Sequence, residues 1–172
     1  VRLPARFQLL AAMNPCPCGY YGDAERACRC TQEKVKQYQQ RISGPMFDRI
    51  DMQVEVARLS ADDKQQLLKK RTSETLSSQK LRAQVVECRA MQMERSGMIN
   101  ARLEQNAIQQ VCALSDPDKA LLNEAMTRLR LSTRAYFKIL KIARTIADLA
   151  TSEHITRSHL FEAINYRRFD VS

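Results

Sequence analysis

The chain has 172 residues, room for one medium domain or a small domain with part of another. Hydrophobic residues make up 44%, which excludes a disordered chain, and no apolar run is long enough for a transmembrane helix. Twenty-eight Lys and Arg against 19 Asp and Glu leave a net charge of +9, a balance that favours anionic partners such as nucleotides or nucleic acid without choosing between them. Neither a signal peptide nor a lipidation motif is found, so a cytoplasmic location without membrane contact is expected. The chain opens Val1-Arg2-Leu3-Pro4, and a fragment of a longer protein is expected.

In chain order, Phe7 to Met13 is a short apolar run stopped by Asn14-Pro15, which predicts a buried strand of a parallel sheet with Asn14 at its C-terminal end. Residues 14–31 hold Pro15, Pro17, Gly19 and Gly22 and are expected to be a loop. A short helix is expected from Thr31, its N-cap, to about Arg41, with Val35 and Tyr38 on one side. Ser43-Gly44-Pro45 reads as a turn, and Met52, Val54 and Val56 alternate with polar residues as in a half-exposed strand.

Ser60-Ala61-Asp62-Asp63 has the form of a capping box. It opens an expected long helix ending near Ser96-Gly97, with Leu67, Leu68, Leu76, Leu81, Val85, Cys88 and Met91 as a loose apolar stripe. Shorter helices come after it. One is expected from Ala101 to Ala113, one capped by Asp116, one capped by Ser132 and one capped by Thr156. The Ser132 helix has the strongest stripe, Ala135, Ile139, Ile142, Ile146 and Leu149. Leu160, Ala163 and Ile164 are expected to be buried by the last helix.

Cys16, Cys18, Cys28 and Cys30 form C-x-C…C-x-C. Four thiolates satisfy tetrahedral zinc and would staple a loop too polar to fold alone; the alternative is free or redox-active thiols. Nothing matches G-x-x-x-x-G-K-[ST], so no phosphate-cradling loop is present, nor is there a magnesium-holding acidic strand end. His154 and His159 read as surface or capping residues rather than metal ligands. Lys138 and Lys141 read as a solvated basic face, with Arg128, Arg130 and Arg144 adding charge nearby.

The stretches FQLLAAMNPCPCGYYGD, CRCTQEKVKQYQQRISGPMFDRIDMQVEV, LSTRAYFKILKIARTIADL and HITRSHLFEAINYRR resemble the magnesium-chelatase-like AAA+ proteins of the ComM/YifB type. The resemblance implies the C-terminal portion of an AAA+ module: mainly α, with a small α/β part. Its divisions would be the end of the α/β core with the Cys-rich loop over residues 1–58, a long helical connector over 59–98, and a helical lid over 99–172. It further implies a hexameric ATPase using ATP and Mg²⁺, acting on DNA as a helicase or branch-migration factor in natural transformation. An upstream part of the same protein would carry the Walker motifs, leaving this fragment inactive alone.

By the same resemblance Asn14 matches sensor 1, where an amide orients the attacking water. Arg49 matches the arginine finger, which reaches a nucleotide held by a neighbouring subunit. Arg134 matches sensor 2, near a helix N-terminus that favours phosphate. Read without the resemblance, Asn14 would cap a turn and Arg49 would pair with Asp48 or Asp51. The competing functions are a chelatase-type ATPase subunit, a zinc-stapled nucleic-acid-binding module, and a helical adaptor. The low aromatic content, 6% with no Trp, speaks against a stacking platform for single strands.

Overall fold

The structure, a computed structural model, describes residues 7–59, 63, 65 and 77–167. Among these the regular structure is helical throughout, in line with the mainly α expectation. The chain divides into two compact units, Val1–Ser43 and Gly44–Ser172.

The first unit is a turn-rich loop followed by α1 (Gln32–Gln39), whose N-cap Thr31 accepts from the Lys34 N–H and whose Val35 is buried. The expected strand over residues 7–13 is not formed: these residues carry no regular structure and are exposed, Leu10 by 95%. A strand is stable only where a neighbour completes its ladder, and none of the described residues does so. The same reason removes the expected strand at Met52–Val56, where Val56 is 87% exposed.

The second unit opens with α2 (Gly44–Arg49). Ser60, Asp62, Leu67, Leu68 and Leu76 of the expected long helix lie outside the described residues, while Asp63 and Gln65 are helical. Next comes α3 (Ser78–Ser96), capped by Ser77 and closed by Gly97 at φ 67, a left-handed C-cap that glycine takes without strain. Of its expected stripe Cys88 is buried, whereas Leu81 and Val85 are exposed.

The expected helix over 101–113 is divided. A 3₁₀ turn at Asn100–Arg102 precedes α4 (Gln105–Val111). Ser115, not Asp116, caps α5 (Asp116–Arg128), because its hydroxyl accepts from the Asp118 N–H. Ser132 caps α6 (Thr133–Leu149) and Thr156 caps α7 (Arg157–Asn165), as expected. His159 completes the α7 capping box by accepting from the Thr156 N–H through Nδ1 at 3.1 Å.

α6 is the hub, packing against α3, the 3₁₀ turn, α4 and α7. Its Ile139, Leu140, Ala143 and Ala147 meet Leu103, Ile108, Leu122, Leu160 and Ala163 in one apolar core. Leu149, expected inside, is 54% exposed, as it lies in the last helical position.

Beside this core lies a buried polar knot. The Asp148 carboxylate accepts from Arg95 at 2.6 and 2.9 Å, from Asn100 Nδ2 at 2.7 Å and from Arg144 Nε at 3.0 Å. Arg144, expected only to add charge near the basic face, is itself buried and donates to the carbonyls of Glu153 at 2.8 Å and Ser152 at 2.6 Å. Burial alone would raise the Asp148 pKa. The hydrogen bonds from Arg95 and Asn100 and the charges of Arg144 and Arg95 outweigh it and hold the carboxyl below its ordinary value.

Thr151 turns the chain toward those carbonyls at φ 51, a left-handed conformation that strains a β-branched side chain.

Replacing Asp148 with Asn leaves Arg144 buried without its counter-charge, so unfolding in denaturant should show a loss of about 3–5 kcal/mol. Because the folded pKa is depressed, the contribution of Asp148 is complete above the unfolded carboxylate pKa and is lost as pH falls through the folded one. Stability measured against pH should therefore fall less steeply on acidification in D148N than in the natural chain. Thr151→Gly should stabilise by about 1 kcal/mol, read as a raised denaturation midpoint.

Candidate functional site

In the first unit the sequence brings the four clustered cysteines together. Gly19, at φ 80, closes a turn in which its N–H donates to the Cys16 carbonyl at 3.0 Å. Asp23 ties the next turn by accepting from the N–H groups of Glu25 at 2.8 Å and Arg26 at 3.0 Å. Gln39 of α1 donates to the Pro15 carbonyl at 3.2 Å, fixing the helix to the start of the loop.

These ties place the Sγ atoms of Cys16, Cys18, Cys28 and Cys30 within 4.8 Å of one another. Cys16–Cys18 is 3.3 Å, Cys18–Cys28 3.6 Å and Cys16–Cys28 3.7 Å. Thiolates on the corners of a zinc tetrahedron, each ~2.3 Å from the ion, stand ~3.8 Å apart. The thiols have not formed disulfides.

Their ionisation is mutually opposed. Backbone N–H groups of Arg29 and Tyr20 draw Cys18 down to about 6. The Cys30 N–H lowers Cys28, but burial and the thiols of Cys18 and Cys16 prevail and push it up to about 12. All four could ionise together only with a cation among them.

Asn14 belongs to this unit. It is exposed, in the loop directly before Pro15, and a Cβ on Gly19 would lie 3.9 Å from its Cγ.

The second unit places Arg49 and Arg134 on elements that touch. Arg49 ends α2; it is exposed, and its Nη1 donates to the Pro45 carbonyl of its own helix at 2.7 Å. Arg134 lies in the first turn of α6, 58% exposed, with Nη1 3.3 Å from Asp48 Oδ2. The expected pairing of Arg49 with Asp48 or Asp51 is absent, because both carboxylates are taken up by other cations.

Asp48 Oδ1 accepts from the Ser132 hydroxyl at 2.9 Å and lies 3.5 Å from Arg167 Nη2. Asp51 accepts from Lys138 Nζ at 2.8 Å. Lys138 also donates to the Arg49 carbonyl at 2.5 Å, and its side chain is only 16% exposed. Lys141 donates to the Ala101 carbonyl at 3.2 Å, and burial lowers its pKa. Lys138 and Lys141 are thus structural clasps rather than the solvated face their spacing predicted. The fully buried Arg167 donates to the Ile50 carbonyl, and the Gln53 N–H to the Tyr166 carbonyl at 2.9 Å. The residues around Arg49 are consequently held against the start of α6 and the end of α7.

Residues 75–167 match the family described as magnesium chelatase, subunit ChlI C-terminal, and residues 1–64 match magnesium chelatase, subunit ChlI. The chain belongs to this magnesium-chelatase-like family. It is 42% identical over 167 residues to the competence protein ComM of Haemophilus influenzae, covering 97% of this chain and 32% of that protein. It is 40% identical over 170 residues to YifB of Escherichia coli, covering 99% of this chain and 32% of that protein. Similarity extends to the protein Rv2897c of Mycobacterium tuberculosis, 29% identical over 167 residues, 96% of this chain and 32% of that protein. The chain thus spans about a third of the length of these relatives.

In magnesium-chelatase-like terms, the ChlI match at residues 1–64 contains Asn14, the cysteines and Arg49, and the C-terminal match contains Arg134. Two residues that shape the site, Asp48 and Lys138, are not singled out for it by sequence spacing. The one signal for Asp48 is its place as a carboxylate directly beside Arg49.

Proposed function

We propose that this chain is the finger-and-lid portion of a cytoplasmic, ATP-driven AAA+ motor that assembles as a hexamer and acts on DNA. The observation that carries this reading is Arg134: an exposed guanidinium in the first turn of a Ser132-capped helix, already holding an anion, the Asp48 carboxylate. A helix start with an added arginine is suited to a phosphate. Arg49, exposed on the adjoining helix, is suited to reach a nucleotide bound by a neighbouring subunit. Asn14, on an exposed loop of the first unit, would orient an attacking water. ATP and Mg²⁺ would be bound chiefly by parts of the protein upstream, and their hydrolysis would supply the driving force.

The DNA role draws on the competence name of the Haemophilus relative and on the net charge of +9. A second reading, a chelatase-type ATPase subunit, is favoured by the family match itself. Affinity of the intact oligomer for DNA that falls steeply with salt supports the DNA role, and no measurable affinity at low salt supports the chelatase role.

The cysteine cluster fits structural zinc by its sulfur spacing. With four thiolates on the metal no coordination position is open for catalysis, so its work is to hold the loop next to Asn14 in shape.

In the full-length protein, Arg49→Ala should lower ATP turnover roughly a thousandfold at unchanged ATP affinity. Arg134→Ala should weaken ATP binding about tenfold. Unaltered turnover in R49A would refute the finger assignment. Protein purified without chelators should contain close to one zinc per chain by elemental analysis, and Cys28→Ser should lose it; less than half an equivalent in the natural chain removes the zinc reading.

A further inference from the structure

Asp48 stands between the start of α6 and Arg49. Three donors converge on this one carboxylate: the Ser132 hydroxyl at 2.9 Å, Arg134 Nη1 at 3.3 Å and the buried Arg167 at 3.5 Å. Ser132 is the N-cap of α6 and also accepts from the Ala135 N–H at 3.1 Å. An anion is thereby seated at the positive end of the unit's central helix, on the arginine assigned to a phosphate. The remaining charged groups at this contact are spoken for: Lys138 by Asp51 and by the Arg49 carbonyl, and Arg49 by the Pro45 carbonyl.

We propose that Asp48 is an intramolecular competitor for the terminal phosphate of a nucleoside triphosphate, occupying Arg134 and the start of α6 until that phosphate replaces it. The inference rests on the assignment of Arg134 given above and adds to it a competitor and a coupling route. Two anions cannot share one guanidinium edge without repulsion, so phosphate binding displaces the carboxylate. Asp48 immediately precedes Arg49 in α2. Its release changes what holds that helix, while Lys138 keeps the Arg49 carbonyl and Asp51 attached to α6. The state of one subunit's nucleotide is then transmitted to the arginine that subunit offers to its neighbour.

The Asp48–Arg134 pair is more than half exposed on the arginine side, so the competition it exerts is modest. The test is equilibrium binding of a non-hydrolysable ATP analogue to the full-length protein in four forms: natural, D48N, R134A and D48N/R134A. The expected result is about two- to fivefold tighter binding for D48N, and no effect of D48N once Arg134 is gone. A merely structural role for Asp48 would not give this dependence on Arg134. Should D48N melt early, Asp48→Ser removes the same charge and carries the same expectation. Unchanged or weaker binding in D48N and D48S, with R134A still impaired, overturns the competitor and leaves the Arg134 assignment standing. Normal binding in R134A overturns that assignment instead.

Discussion

The Asp148 carboxylate is the interaction on which the helical unit depends. It is 2% exposed, and a lone charge so placed would be driven to protonate. Three donors from separate parts of the chain prevent that: Arg95 at the end of α3, Asn100 at the start of the 3₁₀ turn, and Arg144 one turn earlier on α6. Asn100 is itself fixed by further bonds. Its side chain also donates to Thr145 at 3.1 Å, and its backbone N–H donates to the Gln92 side-chain oxygen at 3.0 Å. A satisfied network of this kind sets the angle of α3 on α6 in a way that apolar contacts, tolerant of sliding, do not. It also explains why the turn after α6 accepts a strained Thr151: that turn delivers two carbonyls to Arg144.

With α6 held at its C-terminal end, its N-terminal end is placed against the segment around Arg49. The two ends divide the labour. One is buried and closed, its carboxylate enclosed by arginines. The other is exposed, capped by Ser132, and presents Arg134 beside a carboxylate. Such an arrangement suits a helix whose foot stays rigid while its exposed end is free to exchange partners. Lys138, between these ends, links the helix that carries Arg134 to the carbonyl of Arg49 itself, so the two arginines are held on connected elements.

Much of this was legible in the residues. The stripe of α6 before Leu149, the caps Thr31, Ser132 and Thr156, the burial of Leu160, Ala163 and Ile164, and the convergence of the four cysteines all derive from local spacing and capping chemistry. What was not legible depends on partners distant in sequence. Phe7–Met13 has the composition of a buried strand, yet composition does not supply a neighbouring ladder. Lys138 has the spacing of a basic helix face and Arg144 adds charge nearby, yet each is drawn inward by an acceptor or carboxylate, Asp51 and the Arg49 carbonyl for the first, Asp148 and the Glu153 carbonyl for the second. Ser115 and Asp116 are both competent caps, and the choice between them turned on which hydroxyl or carboxylate met the Asp118 N–H.

The most direct measurement is a structure of the assembled full-length protein with a non-hydrolysable ATP analogue and magnesium bound. The predicted result is Arg134 within hydrogen-bonding distance of the nucleotide's terminal phosphate in its own subunit, and Arg49 at the nucleotide of the next. Finding both guanidinium groups turned to solvent, with each nucleotide enclosed by other residues, would contradict it.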